Sequence, residues 1–76
     1  MNNQITFANY ILSRRRNIGM KQSELAEIVG VRVAQISRWE NGFAEPGVTN
    51  FLKLCKALAI NPNEMMWVVE GESNDK

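Results

Sequence analysis

The 76-residue chain contains no histidine and a single cysteine, Cys55. One thiol cannot close an internal disulfide, so no covalent staple holds this small domain together. Without histidine, and with one cysteine, the usual zinc ligands are missing, and no metal site is expected. The same absences remove the common general base. There is no glycine-rich phosphate loop and no pair of carboxylates in a recognisable cleft, so no catalytic residue or cofactor is assigned. No apolar run approaches the length of a membrane span, and the polar start "MNNQIT" is unlike a signal peptide. A membrane partner is therefore not expected, and the lack of disulfides fits a reducing cytoplasm. Excess charge is missing too: nine Lys and Arg against eight Asp and Glu leave +1.

What is present is enough apolar material, 45% of residues, to bury one small core. Stability then has to come from packed helices, from a partner subunit, or from both. The near-zero charge is unevenly spread. Residues 1–42 carry six cations and three anions, for +3, whereas residues 43–76 carry three cations and five anions, for −2. A basic front half can mark an anionic partner, although a solvated face produces the same pattern.

Apolar spacing predicts five helices and no strand. The first runs from Phe7 to about Asn17, with Thr6 as its N-cap and Gly19 as its stop. The second covers Gln22 to about Val29, with Leu25, Ala26 and Val29 inward and Gly30 beyond its end. The third covers Val33 to about Asn41, with Ile36 and Trp39 inward, before Gly42. After the turn-rich "FAEPG", the stretch "VTNFLKLCKALAI" predicts a fourth helix whose inner stripe is Val48, Phe51, Leu52, Cys55, Leu58 and Ala59. A fifth begins at "NPNE", with Asn61 as N-cap, Pro62 in the first turn and Glu64 closing a capping box. The sum is an all-α, compact five-helix orthogonal bundle forming one domain over residues 1–70, with a flexible polar tail at 71–76.

The second and third helices are joined by only about "GVR", the spacing of a helix-turn-helix over residues 22–41. On geometry alone many helical hairpins share it. Residue identity sharpens the reading: "MKQSELAEIVGVRVAQISRWENG" resembles the DNA-binding domain of the phage repressor and Cro (XRE) family. The matching positions are Gln22, Leu25, Ala26, Gly30, Val31, Ile36, Ser37, Trp39, Glu40, Asn41 and Gly42. The likeness extends through "EPGVTNFLKLCKALAINPNEMM", covering roughly residues 7–66. It implies a lambda-repressor-like fold, a double-stranded DNA operator as partner, and a homodimeric transcription regulator.

Roles follow position by position. Arg32, Val33, Ala34 and Arg38 fall on the family's base-reading positions; the two guanidinium forks suit guanine, and Val33 and Ala34 suit a thymine methyl. Gln22 and Asn41 are expected to hold phosphates, with Lys21 and Gln35 as further phosphate contacts. An exposed glutamine at 22 and a helix-terminating asparagine at 41 are the plainer alternatives. Arg15 and Glu40 match a partly buried ion pair joining the first helix to the third. Arg14 and Arg16 are then ordinary surface charges, or supply long-range attraction. Trp39 is core with an edge toward the DNA backbone, and Cys55 is a small core residue.

The chain departs from the family in having Lys21 and Arg32 where Ser or Thr usually cap the two helices. Neither side chain can accept a backbone hydrogen bond, and each costs about 0.5–2 kcal/mol relative to a good cap. Cations there oppose the helix dipole but face DNA in this geometry, so a phosphate or guanine contact would explain them. Leftover apolar side chains, Leu58, Ile60, Met66 and Trp67, mark the expected dimer interface. No small-molecule ligand is evident. The rival reading keeps the fold as a protein-interaction or antitoxin-like module.

Overall fold

The computed structural model describes residues 6–61, which contain four α-helices and no strand. The expected fifth helix, the 71–76 tail, Met66 and Trp67 lie outside the described residues. Helix α1 (Phe7–Asn17) starts at Thr6, whose Oγ1 accepts the Asn9 N–H at 3.1 Å. Helix α2 (Gln22–Val29) and helix α3 (Val33–Glu40) follow, and helix α4 (Val48–Ala57) begins after Gly47. α3 stops one residue before the sequence suggests, with Asn41 as its C-cap.

Three of the helices close in one way. After α1, Gly19 and Met20 donate to the carbonyls of Arg16 and Arg15; after α3, Gly42 and Phe43 donate to those of Trp39 and Arg38. After α4, Ala59 and Ile60 donate to Lys56 and Cys55 at 3.3 and 2.8 Å. This double closure places the residue beyond the cap in the left-handed region, where glycine is at ease. At α4 that residue is Ala59, with φ 55°. An L side chain there costs roughly 1 kcal/mol. Ala59→Gly is accordingly expected to stabilise the fold by about 0.5–1 kcal/mol, raising Tm by a few degrees. A thermal melt that is unchanged or lower would show that Ala59 carries no such strain.

Arg14 secures the same helix end. Its Nε donates to the Leu58 carbonyl at 2.9 Å and its Nη2 to the Ala59 carbonyl at 3.3 Å. A cation on these orphan carbonyls also sits at the negative end of the helix dipole. Arg14 is thus a cap for α4 and not the surface charge expected from sequence. Nothing local announces this, because the partners are 44 residues apart.

The core is built from Ile11, Leu25, Val29, Ile36, Trp39, Leu54 and Leu58, with Ala26, Cys55 and Ile60 completing it. α2 packs on both α3 and α4, and α1 packs on α3. The inner face of α4 differs from the expected stripe. Leu54 is buried, while Val48 and Leu52 are 75% and 51% exposed and Ala59 is exposed. Two helical stripes run through this segment, 48–52–55–59 and 51–54–55–58, and they share Cys55. Apolar residues occupy both, so periodicity alone cannot choose between them. Packing against α2 selects the second.

Candidate nucleic-acid interface

The connection between α2 and α3 is Gly30, Val31 and Arg32. Gly30 adopts φ 87°, and the N–H groups of Gly30 and Val31 both donate to the Ala26 carbonyl, at 2.8 and 3.0 Å. Val31 packs on the core, as does Met20 before α2. Each lies just ahead of an N-cap and four residues into each helix follow the fully buried Leu25 and Ile36. This hydrophobic stapling fixes both helix starts without help from a capping side chain.

Lys21 and Arg32 are the N-caps, both in extended backbone. No side-chain oxygen caps either helix; at α2 the reciprocal half survives, Glu24 Oε1 accepting the Lys21 N–H at 2.8 Å. The uncapped backbone donors at these two helix starts carry the partial positive charge of the helix end, which suits an anionic group. Both cation-bearing side chains are exposed.

Across α3 the two sides are chemically separate. Ile36 and Trp39 are buried, whereas Arg32, Val33, Ala34 and Arg38 are all exposed and Gln35 is half-buried. Among the described residues neither Arg32 nor Arg38 has an ion-pair or side-chain hydrogen-bond partner, which leaves both guanidinium forks facing outward. Val33, 43% exposed, puts an apolar surface beside them.

Trp39 is 1% exposed, so it has no edge toward solvent, contrary to the sequence expectation. Its Nε1–H is buried without a partner. Such an orphan donor costs about 1–3 kcal/mol, offset here by the area the indole buries.

Behind α3 lies a buried polar cluster. Arg15 Nε donates to Glu40 Oε2 at 2.6 Å and Arg15 Nη2 to Glu40 Oε1 at 3.0 Å, a two-pronged pair with both side chains nearly shut off from water. Arg15 Nη1 donates to the Met20 carbonyl at 2.8 Å, tying in the corner between α1 and α2. Gln22 Nε2 donates to Glu40 Oε1 at 2.9 Å. Sequence reasoning placed Gln22 outward and did not foresee this bond. Asn41 Nδ2 donates to the Ser37 carbonyl at 2.9 Å and the Ser37 hydroxyl at 3.2 Å, so its side chain terminates α3 in the free protein.

The expected dimer residues fare differently. Leu58 and Ile60 are buried in the core and have no side-chain surface to offer a second subunit. Large apolar side chains that are exposed include Val48 and Leu52 on α4, Phe43 after α3, and Ile18, Ile28 and Val33 elsewhere. Cys55 is buried, and burial pushes its thiol upward from the usual value, keeping it neutral. Among the described residues no cluster of metal-ligand side chains occurs, and no helix is long and apolar enough to cross a membrane.

Comparison with known proteins agrees with this geometry. A family model described as helix-turn-helix matches residues 11–65. The repressor protein C2 of Salmonella phage P22 is 36% identical over 66 residues, covering 87% of this chain but only 30% of the repressor's own length. The solution structure of the DNA-binding domain of the P22 c2 repressor superposes with a TM-score of 0.79 at 32% identity, covering 93% of this chain and 90% of that one. The crystal structure of the P22 c2 repressor in complex with a synthetic operator gives a TM-score of 0.73 at 36% identity, covering 76% of this chain and 88% of that one. With the fold, the two-helix corner and the sequence in agreement, the chain belongs to the helix-turn-helix family, in its phage repressor and Cro-like (XRE) group.

Proposed function

We propose that this chain is a sequence-specific regulator of transcription that binds duplex DNA as a homodimer, with α3 in the major groove. The observation that carries the reading is the outer side of α3. Arg32 and Arg38 stand there without partners among the described residues, next to exposed Val33 and Ala34, while Ile36 and Trp39 anchor the opposite side. Arg32 and Arg38 then fork onto guanine edges, and Val33 and Ala34 meet thymine methyl groups. Lys21, Gln22 and Gln35 hold phosphates near the two helix starts. Asn41 adds a phosphate contact by giving up its longer bond, to the Ser37 hydroxyl. That the P22 relative is found in complex with a synthetic operator supports duplex DNA as the partner. The protein acts in the cytoplasm of a bacterial host, on phage or host DNA.

With Leu58 and Ile60 buried, the homodimer contact is assigned instead to the exposed side of α4 that carries Val48 and Leu52. Val48 and Leu52 are one helical turn apart and so share a side of α4. Leu52→Lys is expected to convert a dimer into a monomer in sedimentation while the fold of the monomer stays within about 0.5 kcal/mol, compared at dilutions where the parent is also monomeric, since Leu52 is half exposed. A dimer that persists with Lys at 52 removes this face from the assembly.

Selection of bound duplexes from a random-sequence pool tests the function directly. The expected product is a two-fold-symmetric site with half-site centres about 10–10.5 bp apart, containing guanine and thymine in each half. Binding should weaken steeply with salt as counterions are displaced. A pool with no enrichment would favour an interaction module of the same fold, whose partner is another protein on the Val48 and Leu52 side of α4.

A further inference from the structure

A side-chain amide nitrogen carries two hydrogens that diverge by about 120°, so it can serve two acceptors at once. Gln22, the first residue of α2, uses one of them on Glu40 Oε1 at 2.9 Å. Glu40 is the last residue of α3 and is itself held rigidly, because both its oxygens accept from Arg15. Arg15 is held in turn by the Met20 carbonyl. The order of restraint runs from the corner between α1 and α2, through Arg15 and Glu40, to the Gln22 amide.

We propose that Glu40 is a positioning residue for DNA: it fixes the Gln22 amide so that the second Nε2 hydrogen meets a backbone phosphate. The proposal rests on the DNA-binding reading above. An untethered glutamine can present its carbonyl oxygen to a phosphate as easily as its nitrogen, and the oxygen repels the anion. Anchoring the nitrogen to a carboxylate removes that choice before binding. Ordering that side chain in advance lowers the entropy lost on association. Glu40 would be a poor anchor if its own charge faced the phosphate uncompensated, but the Arg15 guanidinium lies against both its oxygens and cancels it. Arg15 thus serves the interface without touching DNA.

Two measurements test this. In the free protein, one Gln22 side-chain amide hydrogen should be protected from exchange by nuclear magnetic resonance, and the other should become protected only on adding the selected duplex. Equal, solvent-like exchange of both hydrogens in the free protein overturns the proposal without any substitution. The second is a double-mutant cycle on duplex affinity, run where each variant is folded by Trp emission. Glu40→Gln should weaken binding about three- to tenfold in the parent chain and by less than about twofold when Gln22→Ala is already present. An equal loss in both backgrounds makes Glu40 merely structural and sinks the idea. If Gln22→Ala binds as the parent does, the phosphate contact is wrong and the proposal falls with it. If the parent itself binds no duplex, the failure belongs to the DNA-binding reading and takes the proposal with it, whatever the free-protein exchange shows.

Discussion

Arg15→Ala is expected to lower stability by about 3–5 kcal/mol, a drop in Tm of roughly 15–30 °C for a domain of this size. The loss comes less from the pair's attraction than from what remains. Glu40 would stay buried, with a side-chain exposure of 2%, and its charge would face only the Gln22 amide. A domain this small has about 4–11 kcal/mol to lose, so the variant would be partly unfolded at body temperature. Arg14→Ala is the matched control: it removes hydrogen bonds to the α4 carbonyls, worth about 1–2 kcal/mol, and leaves no buried charge behind. Replacing both partners, as Arg15→Met with Glu40→Leu, should recover most of the loss, because no lone ion is left in the interior. Far-UV circular dichroism melts of the four proteins decide the matter. Equal melting points for Arg15→Ala and Arg14→Ala would mean that the buried pair does not brace the fold.

At Arg32 a single substitution should move stability and binding in opposite directions. Arg32→Ser supplies the missing cap oxygen to α3 and should stabilise the fold by about 0.5–2 kcal/mol. It also removes a guanidinium fork, which should cost about 1–3 kcal/mol of discrimination per half-site and relax the preference at that position. Arg38→Ala should have the same effect on binding at a different base pair, with little change in the melt, because Arg38 is exposed and makes no side-chain bond. Lys21→Ala differs in kind. Its proposed contact is to a phosphate, so binding should weaken evenly across sequences, and the salt slope should shrink by about one per half-site. Duplex titrations on the selected site and on single-base variants, over a salt series, separate the two classes. If Arg32→Ser gains stability and loses no affinity, the cation at that cap has no role in DNA binding.

Most helix positions were legible because their starts or stops carry a local signal. The exception is α4, which ends at Ala57 short of the expected stretch to Ile60, with Ala59 where the other ends have glycine. Thr6, Gly19, Gly30 and Gly42 act within a few residues of where they stand, and α1 and α2 fall within the expected bounds. The division of α3 into Ile36 and Trp39 inside and Arg32, Val33, Ala34 and Arg38 outside followed from spacing, and the family resemblance gave those positions their meaning. The inner face of α4 did not follow, because two apolar stripes cross at Cys55 and only tertiary contact selects one. Arg14 at the α4 terminus, Gln22 on Glu40, and the burial of Leu58 and Ile60 are long-range facts. No pattern confined to one helix could announce them.

The sharing of one carboxylate has a consequence for how finely this protein can be divided. Glu40 collects α1 through Arg15, α2 through Gln22 and α3 through its own backbone, while α2 leans on α4. A fragment holding only the two central helices would keep every residue proposed to read bases. It would lose the cation that neutralises Glu40 and the apolar wall behind Leu25, so its eight-residue helices would have too little to hold them above the coil. Recognition here belongs to the whole fold, and no shorter peptide carries it.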